Sequence, residues 1–182
     1  MKTEALERYL NSFGKQVVNR AKGNLQKSKG GGTALEKSID FKVTTNAEGF
    51  AVQFFMTDYG TFVDKGVSGT NKRRSFKDYK GKVITSPYKF GTGSSRVGKA
   101  KGGMSGIMAK WVKKKGFQWR DEKGRFMSHK SMGYIIARSI YSKGIQGISF
   151  FQKPLMLGLK QFGKEMLGAV KDDIINGLTT VK

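Results

Sequence analysis

The sequence predicts an α+β fold: a small antiparallel sheet packed by long N- and C-terminal helices, with a long basic loop excursion. Three observations carry that expectation. Apolar residues recur at steps of three or four near both ends of the 182-residue chain, the period of a helix with one buried face. Between residues 35 and 57 the period drops to two, that of a half-buried strand. From 67 to 103 the apolar pattern gives way to Gly, Ser and Lys, so this stretch reads as an extended basic loop or insertion, and long loops of that kind are functional or disordered.

Each element follows in order. Leu6, Leu10, Phe13, Val17, Ala21 and Leu25 place a helix over 2–28, ended by Gly30-Gly31-Gly32. Leu35, Ile39, Phe41 and Val43 then face one way, and Ser38, Asp40, Lys42 and Thr44 the other, so 35–45 reads as one strand with Lys37 as its exception. Asn46-Ala47-Glu48-Gly49 is the turn. Phe50, Val52, Phe54 and Met56 make 50–57 the pairing strand. Tyr59 to Gly66 reads as a short helical turn closed by glycine, and Lys82-Val83-Ile84-Thr85 as a brief strand-like piece. Ile107, Met108, Trp111 and Val112 predict a short helix over 104–115, stopped by Gly116. Phe117-Gln118-Trp119-Arg120, the polar turn Asp121 to Gly124, and Arg125-Phe126-Met127 then form a hairpin with aromatic arms. A helix over 131–143 comes next. Pro154 suits the first position of the last helix, whose stripe is Leu155, Leu159, Phe162, Met166, Ala169, Ile174 and Leu178. With no repeat and no second apolar core, residues 1–182 read as a single domain.

Composition narrows the class. The formal net charge is +22, from 35 Lys+Arg against 13 Asp+Glu. Such an imbalance repels itself unless nucleic acid, an anionic membrane or an acidic protein face lies nearby. Aromatic residues make up 12% of the chain, too many for a disordered one. The absence of cysteine excludes disulfides, thiolate metal sites and thiol catalysis, and fits a reducing compartment. Glu4 and Glu7, with no apolar run behind them, do not resemble a secretory signal. No stretch approaches the roughly 18 apolar residues of a membrane span, so a soluble protein or a member of a soluble assembly is expected, with no membrane partner.

Chemistry-bearing motifs are weak. Gly93 to Ala100 nearly spells a phosphate-binding loop, but Ala100 stands where a hydroxyl must ligate magnesium, and Lys101-Gly102-Gly103 is a poor helix start. His129 is the sole histidine, among Ser128, Lys130 and Ser131 in an apparent loop. The carboxylates are scattered. Asp172-Asp173 are neighbours on a helix and point apart, and Asp121-Glu122 occupy a turn. With no nucleophile–base pair, the expectation is a protein that is not an enzyme and needs no cofactor and no metal.

Charge position is the informative feature. Lys65 to Lys130 holds 19 Lys+Arg and 3 acids, or +16 of the total +22. Lys72-Arg73-Arg74, Lys80 with Lys82, and Lys113-Lys114-Lys115 are its densest runs, with Phe76, Tyr79, Tyr88, Phe90, Trp111, Phe117 and Trp119 between them. Cations neutralise phosphates and aromatics stack on exposed bases, so these eight cations are the candidates for an anion- or DNA-facing surface. A solvated loop that only aids solubility would not need so many aromatics.

Several segments, in order, resemble one family. They are Thr33-Ala34-Leu35-Glu36-Lys37-Ser38-Ile39, the hairpin, Tyr59-Gly60-Thr61-Phe62-Val63-Asp64-Lys65-Gly66, Trp111 to Gly116, Gly124-Arg125-Phe126-Met127-Ser128, Ile135 to Ile140, Lys143-Gly144-Ile145, and Phe150-Phe151-Gln152-Lys153-Pro154-Leu155. Together they look like the small neck, or head–tail joining (tail completion, minor tail), proteins of tailed bacteriophages. In that family a tyrosine–acid–glycine turn follows the hairpin and an aromatic–proline step opens the final helix. The resemblance runs from about residue 33 onward, and the 67–103 stretch departs from it by its length. It implies a non-enzymatic subunit of a homo-oligomeric ring in the virion, made in the host cytoplasm. Its partners would be its own copies, other connector, portal or tail proteins, and double-stranded DNA bound without sequence preference. Tyr59, Phe62, Phe150, Phe151 and Pro154 become candidates for a subunit interface or helix anchor. The alternative is a free basic nucleic-acid-binding protein.

Overall fold

The computed structural model describes residues 4–29, 31–46, 49–90 and 103–179. In chain order the elements are α1 (Glu4–Lys29), α2 (Ala34–Ser38), β1 (Asp40–Asn46), β2 (Gly49–Phe55), α3 (Gly60–Lys65), β3 (Ser75–Lys77), β4 (Val83–Thr85), α4 (Met104–Lys115), α5 (His129–Lys143) and α6 (Gln152–Thr179). The strands form two two-stranded sheets, β1–β2 and β3–β4. The fold is thus α+β, with long terminal helices and a small antiparallel sheet. The chain divides into two compact units.

The first unit comprises residues 1–64, 76–84 and 148–182. It holds the main apolar core. Leu6, Leu10, Phe13, Val17, Ala21 and Leu25 of α1 are all buried, as their spacing predicts. Phe13, Val17, Ala21 and Leu25 meet Leu35, Ile39, Phe150 and Phe151 in one cluster. β1 and β2 pair antiparallel, Phe41 opposite Phe54 and Val43 opposite Val52. Their inward faces pack on that cluster, with Phe54 edge-on to both Phe13 (6.5 Å) and Phe151 (5.2 Å).

The 35–45 strand is corrected at its start. Residues 34–38 are a helical turn, α2, and the strand begins only at Asp40. Leu35 and Ile39 are four apart, a spacing that fits a strand face and a helix face equally. Lys37, the exception to alternation, is no exception on a helix. The usable signal was Thr33-Ala34-Leu35-Glu36, a capping box. The Thr33 hydroxyl accepts from Glu36 N, and Glu36 Oε2 accepts from Gly32 N at 2.7 Å.

α6 also departs from its expected stripe. Leu155, Phe162 and Met166 are half-buried, but Leu159 and Ile174 are exposed. The inward side of α6 runs from Pro154 through Leu155, Phe162 and Met166 and ends on Asp173, 5% exposed. Asp173 accepts from Ala5 N and Leu6 N, both at 2.9 Å. A carboxylate from α6 thereby satisfies two of the unpaired donors at the start of α1 and complements its dipole.

The second unit comprises residues 65–75 and 85–147. α4 and α5 pack through small residues. A methyl group at Gly133 would lie 2.5 Å from Ala109 N, so only glycine permits this approach. α5 starts at His129, two residues before the expected helix start, and is capped by Ser128, whose hydroxyl accepts from Ser131 N, so His129 sits in its first turn rather than in a loop. Residues 67–69 run against the end of α5, with Val67 bridging Ile145. Gly144 has φ +72, and a methyl there would lie 2.3 Å from Val67 O. The buried apolar residues of this unit, among those described, are Val112, Met132 and Ala137. That scarcity is why the sequence displays only one core.

The described part of the 67–103 stretch is more ordered than its composition suggests. β3 and β4 pair there, closed by Asp78, whose Oδ1 accepts from Lys80 N (3.0 Å) and Lys82 N (2.8 Å). Ser75-Phe76-Lys77 is too short to show a period, so the sequence revealed only its partner.

Candidate nucleic-acid interface

The cationic candidates divide between the units. Lys80 and Lys82 lie in the first, on the β3–β4 turn. Both are exposed, and Lys80 Nζ stands 5.7 Å from the centre of the Tyr79 ring. Lys72, Arg73, Arg74, Lys113, Lys114 and Lys115 lie in the second. Lys72 and Arg73 are exposed. Arg74 is half-buried and has an internal role: its Nε donates to Lys143 O (2.8 Å) and its Nη1 to Gln146 Oε1 (3.2 Å). Lys113, Lys114 and Lys115 form the last turn of α4 and are exposed. The negative end of the helix dipole there favours cations, so part of that run has a structural reason. Gly116 closes the helix in the left-handed conformation, φ 69.

Aromatic rings accompany these cations. Trp111, on α4, tilts against Phe117 at 5.2 Å between centroids, and both stay about two-fifths exposed at 41% and 42%. Ile107, Lys110, Trp111 and Lys114 are exposed and share one face of α4 by their spacing. In the following hairpin Arg120 bridges Phe126, and its guanidinium covers the Phe126 ring at 4.3 Å. Asp121 makes the turn, accepting from Lys123 N and Arg125 N and pairing with Arg125 Nε at 3.0 Å. Phe126 is 62% exposed. It and Arg120 were not singled out as anion-facing from the sequence. The near-match to a phosphate loop, Gly93 to Ala100, lies outside the described residues apart from its identity.

The helix-anchor candidates fall into two groups. Phe150, Phe151 and Pro154 are buried at the start of α6, whereas Tyr59 and Phe62 are exposed around α3. The joint between these segments rests on Asp64, which sequence reasoning passed over. Asp64 is 2% exposed, and its Oδ1 accepts from Phe151 N (2.8 Å) and Gln152 N (3.4 Å). Its carbonyl accepts from Ser149 N, and Ser149 has φ 50, uncommon for a non-glycine residue. The acid of Tyr59–Gly66 therefore caps the helix that Phe150–Pro154 opens.

A groove of about 160 Å³ between α1 and α6 is lined by Tyr9, Ser12, Gln16, Arg20, Gln161 and Glu165 among others. Burial, and then the Glu165 carboxylate, push the Tyr9 phenol above its usual range. Both effects favour the neutral phenol. Among the described residues no group of three His, Asp or Glu side chains could hold a metal, and no helix is long and apolar enough to cross a membrane. Comparison with known protein families, characterised proteins and solved structures finds no match.

Proposed function

We propose that the chain is a structural ring subunit of a tailed-phage neck or head–tail connector, joining portal or connector to tail around the DNA channel. The observation that carries the assembly half is the outer side of α6. Leu157, Leu159, Leu167, Ile174 and Ile175 are all exposed along it, Leu167 by 67%. Lys160, Lys164 and Lys171 run between these side chains, but exposed apolar residues in this number on one helix favour a protein interface, which we assign to a neighbouring copy. The place of assembly rests on the ordered motifs. Two of them, the tyrosine–acid–glycine turn and the aromatic–proline step, meet at one buried hydrogen-bonded joint on Asp64. A ring multiplies the +22 of each protomer, so it needs an anionic neighbour, and passing DNA or acidic connector faces supply one.

In this role the chain performs no catalysis and resides in the virion. Mass measurement of the purified protein with its connector tests it. A closed ring of one defined copy number is expected. A monomer at every concentration, absent from particles, contradicts it. A free nucleic-acid-binding protein is the second reading, favoured by the exposed rings beside the lysines of α4. It expects binding by the isolated chain that weakens steeply with salt.

A further inference from the structure

The second unit carries far more positive than negative charge and leaves several aromatic rings exposed. Its residues include 18 Lys+Arg and 2 Asp+Glu. Trp111, Phe117, Trp119 and Phe126 are each at least two-fifths exposed, while its described buried apolar residues are only Val112, Met132 and Ala137. A second copy of the same face would bring the same positive charge and be repelled. A carboxylate-rich protein face would satisfy the lysines and leave the rings in water. A duplex offers phosphates but keeps its bases stacked inside. Unpaired nucleotides offer both a phosphate and a free ring face at each step.

We propose that the α4 face of Lys110, Trp111 and Lys114, continued by Phe117, binds single-stranded nucleic acid, with bases on the rings and phosphates on the lysines. The site does not depend on the ring assembly and works in the isolated chain. Trp111 and Phe117 already stand 5.2 Å apart, a pair of ring surfaces fixed by the helix end and its left-handed glycine. The lysines flank Trp111 one position before and three after, so the backbone of a strand whose base lies on the indole passes between them.

The two tryptophans of the chain are Trp111 and Trp119, so native fluorescence reports directly on this surface. The full chain is titrated with a twenty-nucleotide oligothymidylate, a duplex of equal phosphate number, and a polyglutamate peptide. Oligothymidylate should quench the fluorescence and bind more tightly than the duplex, and polyglutamate should not quench. Trp111→Ala should weaken oligothymidylate binding roughly 5- to 100-fold, the range of one lost stacking contact. Trp111→Phe should retain most of it. Lys110→Gln with Lys114→Gln should reduce the salt slope by about 0.7 per lost phosphate contact. Equal affinity for the duplex without quenching would overturn the proposal. So would quenching by polyglutamate, which would assign the face to an acidic protein, or an unchanged affinity of Trp111→Ala. Should Trp111→Ala lose its helical circular dichroism, the quenching comparison on the native chain decides alone.

Discussion

Replacing Asp64 tests how the last helix is fastened. Its Oδ1 accepts from Phe151 N at 2.8 Å in a site only 2% exposed. Asp64→Ala removes a charge-assisted hydrogen bond worth about 1.5–3 kcal/mol and leaves a buried N–H unpaired, a penalty of about 1–3 kcal/mol that partly overlaps the first. A loss of about 3 kcal/mol is therefore expected. For a chain of this size each kcal/mol moves Tm by about 2–4 °C, so Tm should fall by roughly 6–12 °C. Asp64→Asn keeps an acceptor at the same place and loses the charge facing the helix start, at a cost of about 1 kcal/mol. Urea unfolding followed by circular dichroism gives both values. A loss below about 1 kcal/mol for Asp64→Ala, or equal losses for the two variants, would refute the cap.

Three further outcomes are expected. Asp173→Asn should cost about 1–2 kcal/mol in urea unfolding, because one amide oxygen cannot replace two carboxylate oxygens at Ala5 N and Leu6 N. Phe150→Ala should cost about 3–5 kcal/mol and Phe150→Leu far less, since Phe150 is fully buried in the main core; similar losses for both would mean that the volume of the ring is not what anchors α6. Gly133→Ala should cost about 1–3 kcal/mol by overpacking, and amide hydrogen exchange should show the loss in α4 and α5, where the new methyl meets Ala109 N.

Long periodic segments were legible and short or non-local features were not. Six apolar positions of α1 read correctly because 26 residues repeat the helical period many times. α2 was misread because Leu35 and Ile39 satisfy two periods at once, although Thr33 and Glu36 carried a capping signal. α6 was found with most of its inward side, but not the end of it, because apolar spacing cannot anticipate that a carboxylate, Asp173, turns inward to cap α1. Asp64 was quoted only as part of a motif, since its partner at Phe151 lies 87 positions away. The basic candidates were visible as composition. Their division between two units, and the internal hydrogen bonds of Arg74, depend on tertiary contacts that a charge count does not contain.

The central claim is that many copies of this chain close a ring around an anionic path. A reconstruction of the assembled particle tests it most directly. The expected result is a closed ring of this chain around the channel, neighbours covering the Leu167 side of α6, and the 65–130 stretch against nucleic-acid density or acidic protein. A particle that lacks the chain, or holds it as a single copy with that side of α6 facing solvent, would contradict the account.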